Sequence, residues 1–157
     1  MTQREREAEV RRRLYGYAKY KKELAEYVDD IFNGTKPHDE SGIRGTGISD
    51  PSARGGIALA DLPRHLADKQ KWIYAIDSAI KELRDMDAGD SRGLVYICTH
   101  MYGLDGRRHK RRDNRDTAVK VADDCFMSVR SLYYRVRIIL NVVLYHAAKN
   151  GCFGEQD

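Results

Sequence analysis

Three kinds of grouping along this 157-residue chain could carry chemistry: Cys/His/Asp clusters, a glycine-rich stretch, and a concentration of cations. Cys98 and His100 are the one close Cys/His pair, and Cys125 and Cys152 lie far along the chain with no Cys-x-x-Cys spacing. A structural zinc needs four ligands, so the cysteines read as small buried apolar side chains. A Cys/His nucleophile would also need an oriented base and an oxyanion site, and neither is signalled. Asp29-Asp30 and Asp123-Asp124 are adjacent residues, which point to different sides of a helix and so read as solvated charges. Gly42, Gly45 and Gly47 are not followed by Lys-Ser/Thr and follow no strand, so they do not form a nucleotide-phosphate loop. No catalytic residue, metal ligand or cofactor is expected, and the chain reads as a non-enzyme.

The cations are more informative. Lys and Arg number 28 against 24 Asp and Glu, a formal net charge of +4. From Arg107 to Arg137 there are ten Lys/Arg and four Asp/Glu, a net of +6, so the remainder of the chain is at −2. Arg107, Arg108, Lys110, Arg111, Arg112 and Arg115 come almost together, with His109 among them. Such a block is a solvated loop by default. It becomes a phosphate-binding element beside a recognition helix, because each phosphate contact releases counterions.

The elements that must position these residues are helical. Val10, Leu14, Tyr17, Lys21, Leu24, Val28 and Ile31 alternate steps of four and three, a heptad seam with one polar position, and Asn33-Gly34 ends it. A glycine-rich loop follows over 34–50. Ser49-Asp50-Pro51 resembles a helix start, and a second seam runs through Leu59, Leu62, Leu66, Lys69, Ile73, Ile76, Ile80 and Leu83. Pro63 predicts a kink or a restart within it. Folded together about the loop, the two seams make an antiparallel hairpin or coiled-coil-like scaffold that brings Lys21 near Lys69. That is a repulsion to be relieved by snorkelling, by a different register, or by use of the seams in an oligomer. A turn over 85–91 leads to a short apolar helix with Leu94, Val95, Ile97, Cys98, Met101 and Tyr102, closed by Gly103. Trp72 and the ten tyrosines are expected to pack the core or its edges.

After the basic stretch come two closely spaced helix patterns. Asp116 or Thr117 is placed to cap the first, whose apolar face is Ala118, Val121, Ala122 and Phe126; Met127-Ser128 makes the break. Ser128 caps the second, whose buried stripe is Leu132, Val136, Ile139, Leu140 and Val143, with Asn150-Gly151 at its end. Two helices and a short turn beside a basic block read as a helix-turn-helix. Arg130, Tyr134 and Arg137 share the face opposite the buried stripe, near the helix start, with Ser131 and Tyr133 close by. Arginine there can donate two hydrogen bonds to guanine O6 and N7, and tyrosine can pack on a thymine methyl or bond a phosphate. Arg135 lies nearer the buried flank and ranks lower. Arg107, Arg108, Lys110, Arg111, Arg112, Arg115, Lys120 and Ser128 are the expected phosphate contacts.

The predicted fold is all-α. Residues 1–85 form a helical scaffold or oligomerisation region, 91–150 a helix-turn-helix DNA-binding domain, and 151–157 a tail. No run of about 18 apolar residues is present for a transmembrane helix. The opening MTQREREAEVRRR has no apolar stretch, so it is not a signal peptide. With three cysteines, the expectation is a reduced cytoplasmic protein with no membrane partner.

At these residues the chain resembles the RinA/ArpU group of phage-encoded late-gene transcriptional regulators. The segment from Gly45 to Arg54, GTGISDPSAR, is similar to that family's glycine-rich stretch ending in Ser-Asp-Pro-Thr-Ala-Arg. The following helix carries Ala75-Ile76 and Ala79-Ile80 ahead of Leu83, and the C-terminal pair carries Val121-Ala122 and then Met127 to Arg135. The last region is also similar to region four of bacterial sigma factors. The likeness spans roughly residues 24–148. It departs at Gly55-Gly56 and in the longer, more basic link over 104–116. It implies activation of phage morphogenesis and packaging genes at promoter DNA, with host RNA polymerase as a partner; the expected location is the bacterial cytoplasm at the nucleoid, and the N-terminal seams would also serve a homodimer or higher homo-oligomer. Two other readings stand beside it: a small-terminase-like DNA-recognition subunit of packaging, and a helical interaction module without DNA binding.

Overall fold

The structure, a computed structural model, describes residues 1–33, 62–107 and 114–154. Among these it is all-helical, with α1 (Gln3–Phe32), α2 (Arg64–Asp87), α3 (Leu94–Tyr102), α4 (Asn114–Asp124) and α5 (Val129–Lys149). The expected helix start at Ser49-Asp50, the glycine-rich loop and Leu59 lie outside the described residues.

α1 starts where its chemistry demands. Thr2 Oγ1 accepts from the Glu5 amide at 3.3 Å while the Thr2 amide donates to Glu5 Oε2 at 2.6 Å, a reciprocal capping box. Of its seam, Val10, Leu14 and Tyr17 are buried, whereas Leu24, Val28 and Ile31 are half-buried. α2 begins at Arg64, directly after Pro63, with the Leu66 and Ala67 amides folding back on the Pro63 carbonyl at 2.9 Å. α2 buries Leu66, Trp72, Ile73, Ala75, Ile76, Ala79 and Leu83. Its two small residues let neighbouring helices approach closely.

Between α1 and α2, Arg13 reaches Asp68 at 3.0 Å and lies over the Trp72 ring, Tyr17 donates to Asp77, and Glu23 pairs with Lys69. These pairings remove the lysine conflict. Lys69 is held by Glu23, while Lys21 stays exposed and donates to the Tyr17 hydroxyl at 3.3 Å. α2 and α5 run antiparallel, with His146 against Glu82 and the ring of Phe153 edge-on to Trp72 at 5.5 Å. α5 touches every other helix, and α4 packs on α3 and α5 alone. One contiguous hydrophobic cluster runs from Val10 to Ala147, so the turn after α2 lies within a single core.

α3 has no capping side chain of its own, because Gly93 stands at its N-cap. Asp87, the last residue of α2, does the work from seven residues away. Its Oδ1 accepts from the Leu94 amide at 2.6 Å and its Oδ2 from the Val95 amide at 3.0 Å. A carboxylate at a helix N-terminus also meets the positive end of the helix dipole. Glycine is required next to it, since a Cβ at Gly93 would stand 2.3 Å from Asp87 Oδ1. Asp87→Ala and Gly93→Ala should each lower stability by about 1–2 kcal/mol, the cost of an N-cap. In urea denaturation the double variant should be about as stable as either single one, because both remove the same cap. Additive losses would show that the two residues act independently.

Candidate nucleic-acid interface

α5 is capped by Ser128, whose Oγ accepts from the Ser131 amide at 3.1 Å and donates to Ser131 Oγ at 3.0 Å. Ser128 is therefore occupied as a cap, and Ser131 keeps its own hydroxyl proton to donate. Leu132, Val136, Ile139, Leu140, Val143 and Ala147 form the buried stripe. Arg130, Ser131, Tyr133, Tyr134 and Arg137 are all exposed, with Tyr134 at 71 % and Tyr133 at 50 %. Arg135 is exposed as well and lies within electrostatic reach of Cys125, which packs against the core. None of Arg130, Arg135 and Arg137 makes an ion pair among the described residues. The first turns of α5 thus present three uncommitted guanidinium groups and two exposed phenols, next to the positive end of the helix dipole.

The expected phosphate contacts divide. Arg107 is exposed, with Nε 3.6 Å from Asp105. Arg115 and Lys120 are exposed on α4. Arg108, Lys110, Arg111 and Arg112 lie outside the described residues. α4 begins at Asn114, earlier than the expected caps, which leaves Asp116 in its first turn. Backbone geometry therefore stands against Asp116 or Thr117 as the N-cap.

The turn between α4 and α5, residues 125–128, departs from the sequence reading at one place. Phe126 was expected on the apolar face of α4; instead it is 90 % exposed and left-handed, with φ +54°. The reason lies in how α4 ends. The Phe126 amide donates to the Asp123 carbonyl at 3.1 Å and the Met127 amide to the Ala122 carbonyl at 3.0 Å. These two bonds define a Schellman ending, which requires a left-handed residue at this position and favours glycine there. Met127, not Phe126, packs against the core.

Arg92 secures this turn from outside, a role that sequence reasoning missed. Its Nη1 donates to the Asp124 carbonyl, and its guanidinium lies over Tyr96 and Phe126, at 5.7 and 5.8 Å from the ring centroids. Tyr96 Oη also donates to Asp124 Oδ2 at 3.4 Å. A single arginine in a turn region leaves no periodic trace that could have marked it.

The tyrosines divide too. Tyr17 and Tyr102 are buried and Trp72 is fully so, but Tyr15, Tyr74, Tyr133, Tyr134 and Tyr145 are at least half exposed. Burial raises the Tyr102 phenol, Arg11 pulls it down, and Cys98 and Tyr15 push it up. Cys98 is buried, and desolvation pushes its thiol up to about 12, as suits an inert packing residue. Among the described residues no three His, Cys, Asp or Glu stand close enough to hold a metal, and no helix is long and apolar enough to cross a membrane.

No family model, curated protein or solved structure matches the chain at significance. The likeness to phage late-gene regulators therefore rests on the motifs themselves.

Phe126→Gly tests the account of the turn. Left-handed backbone costs a non-glycine residue roughly 1–2 kcal/mol, partly offset by the extra freedom of glycine in the unfolded chain. The variant should be more stable by about 0.5–1 kcal/mol, or about 2 °C in melting temperature. A loss of stability by thermal circular dichroism would show that the Phe126 ring packs more than its exposure implies.

Proposed function

We propose that the protein is a sequence-specific DNA-binding regulator whose α4–turn–α5 unit acts as a helix-turn-helix. The observation that carries this reading is the start of α5. Its exposed side presents Arg130, Arg135 and Arg137 with no carboxylate partner among the described residues, with Tyr133 and Tyr134 among them, while its inner face is held by the core. The arginines that hold this fold have visible partners: Arg13 pairs with Glu9 and Asp68, and Arg92 donates to the Asp124 carbonyl. Uncommitted arginines on a rigid helix suit base edges and phosphates.

In this reading α5 enters a major groove by its N-terminal turns. Arg130 and Arg137 contact base edges, Tyr133, Tyr134 and Ser131 add contacts to bases or phosphates, and Arg107, Arg115, Lys120 and the basic stretch between grip the backbone. The Ser-Asp-Pro segment and the Met127–Arg135 segment support the more specific assignment, activation of phage late genes with host RNA polymerase as partner. A dimer would need an operator with two half-sites separated by whole helical turns.

Fluorescence-anisotropy titration of labelled duplexes over a salt series tests the reading. The expected result is affinity that falls linearly in log–log form with salt, with preference for one promoter region over scrambled duplex. Arg130→Ala and Arg137→Ala should each cost about 1–3 kcal/mol on the preferred site and flatten the preference, whereas Arg111→Ala and Arg112→Ala should weaken all duplexes alike. Binding that is absent, or indifferent to salt, would overturn it.

A further inference from the structure

Three consecutive arginines on α1 have different fates. Arg12 donates to Glu9 at 2.6 Å; Arg13 donates to Glu9 at 2.6 Å and reaches Asp68 at 3.0 Å. Arg11 is exposed and makes no ion pair among the described residues. One helical turn later, Tyr15 is half exposed and sets its ring edge-on to Tyr102 at 5.0 Å, covering the core at that point.

This stripe of α1 lies beside the proposed reading helix. α1 packs directly on α5, and Tyr15, whose ring meets Tyr102, feels both Arg11 on its own helix, which lowers its phenol, and Tyr133 on α5, which adds to the rise that burial causes. Tyr133 is one turn before Arg137 on α5. Farther along the same stripe, Gly106 rests against Ala18, where a Cβ on the glycine would stand 3.8 Å from the alanine methyl. Arg107 therefore leaves the fold next to α1. Lys22 follows Ala18 by one turn, and beyond it Glu26, 3.9 Å from Lys22, reverses the sign. The positive part of the stripe thus spans the gap between α5 and the beginning of the basic segment.

We propose that α1 is part of the DNA-binding surface, with Arg11 gripping the sugar-phosphate backbone beside the groove that α5 enters and Tyr15 walling that contact. The inference rests on the DNA-binding reading above and extends it to a helix otherwise assigned to the scaffold. Charge selects the occupant: Arg11 on α1, Arg107 in the segment that rests on α1, and Arg130 and Arg137 on α5, the helix α1 packs against, are all exposed cations, and a duplex backbone supplies a row of anions. Arg11 reads no sequence; it fixes the orientation of the protein on the duplex.

The test compares Arg11→Ala with Arg12→Ala in the full chain, on both a preferred and a scrambled duplex across a salt series. The two variants remove the same charge, but Arg12 points away from the core and is tied to Glu9. Both should retain the wild-type helical content by circular dichroism. Arg11→Ala should weaken binding about three- to tenfold on both duplexes and reduce the salt slope by about one, with preference intact. Arg11→Lys should restore most of that affinity, and Arg12→Ala should stay near wild type. If Arg130→Ala weakens binding while Arg11→Ala matches Arg12→Ala, the α1 surface faces something other than DNA and the inference is overturned. If wild type itself shows no salt-dependent binding, the DNA reading falls and this inference with it.

Discussion

α5 must do two things at once. Its inner face supplies the stripe from Leu132 to Ala147 that touches all four other helices. Its outer face, in the same turns, displays arginines and tyrosines. Period 3.6 makes both possible, because residues four apart lie on one side and their neighbours on the other. The consequence is rigidity. A side chain at 130, 134 or 137 stands on a backbone that cannot shift without disturbing Leu132 and Val136, and so its direction is set before any ligand arrives. Preorganisation of this kind lowers the ordering cost of binding.

The rest of the fold holds α5 in place and sets what stands next to it. At its far end Phe153 meets Trp72, whose other side carries the guanidinium of Arg13 at 5.2 Å. Burial works against the charge on Arg13, but hydrogen bonding to Glu9 and the charge of Asp68 outweigh it and hold its pKa above the ordinary value. That one arginine ties α1 to α2. Arg11, two positions earlier, is exposed, with Tyr15 one turn beyond it. At the near end, Asp87 starts α3, and Arg92 with Tyr96 ties α3 to the last turn of α4. The α4–α5 turn is therefore pinned by Arg92, in the turn before α3, and by Tyr96 on α3.

Much of this was legible in the residues. Heptad steps marked α1 and α2, Pro63 marked the boundary at which α2 starts, Ser128 marked the start of α5, and Gly103 and Asn150 marked ends. Each is a local signal, a cap or a period, which depends on few neighbours. The geometry between helices was not legible, and the reason is physical. Two seams predict contact but not partners, and Arg13, Tyr17 and Glu23 find theirs on α2 through side chains that no period marks. Phe126 misled for a related reason: its spacing fits the face of α4, but the helix ends at Asp124, two residues earlier, and the chain turns left-handed at Phe126. The site was partly visible. The exposed arginines of α5 followed from the stripe opposite them, while Arg92 and Arg11 carry no pattern and are recognised only by what stands near them in space.

The central claim is that a duplex lies against the start of α5. Backbone amide chemical shifts, followed by NMR as a short duplex is added at low salt, test it most directly. The account predicts shifts concentrated in residues 128–137 and in the basic stretch before α4, with the exposed α2 face around Tyr74 and Lys81 unmoved. Shifts centred on that α2 face, or none at all, would contradict it.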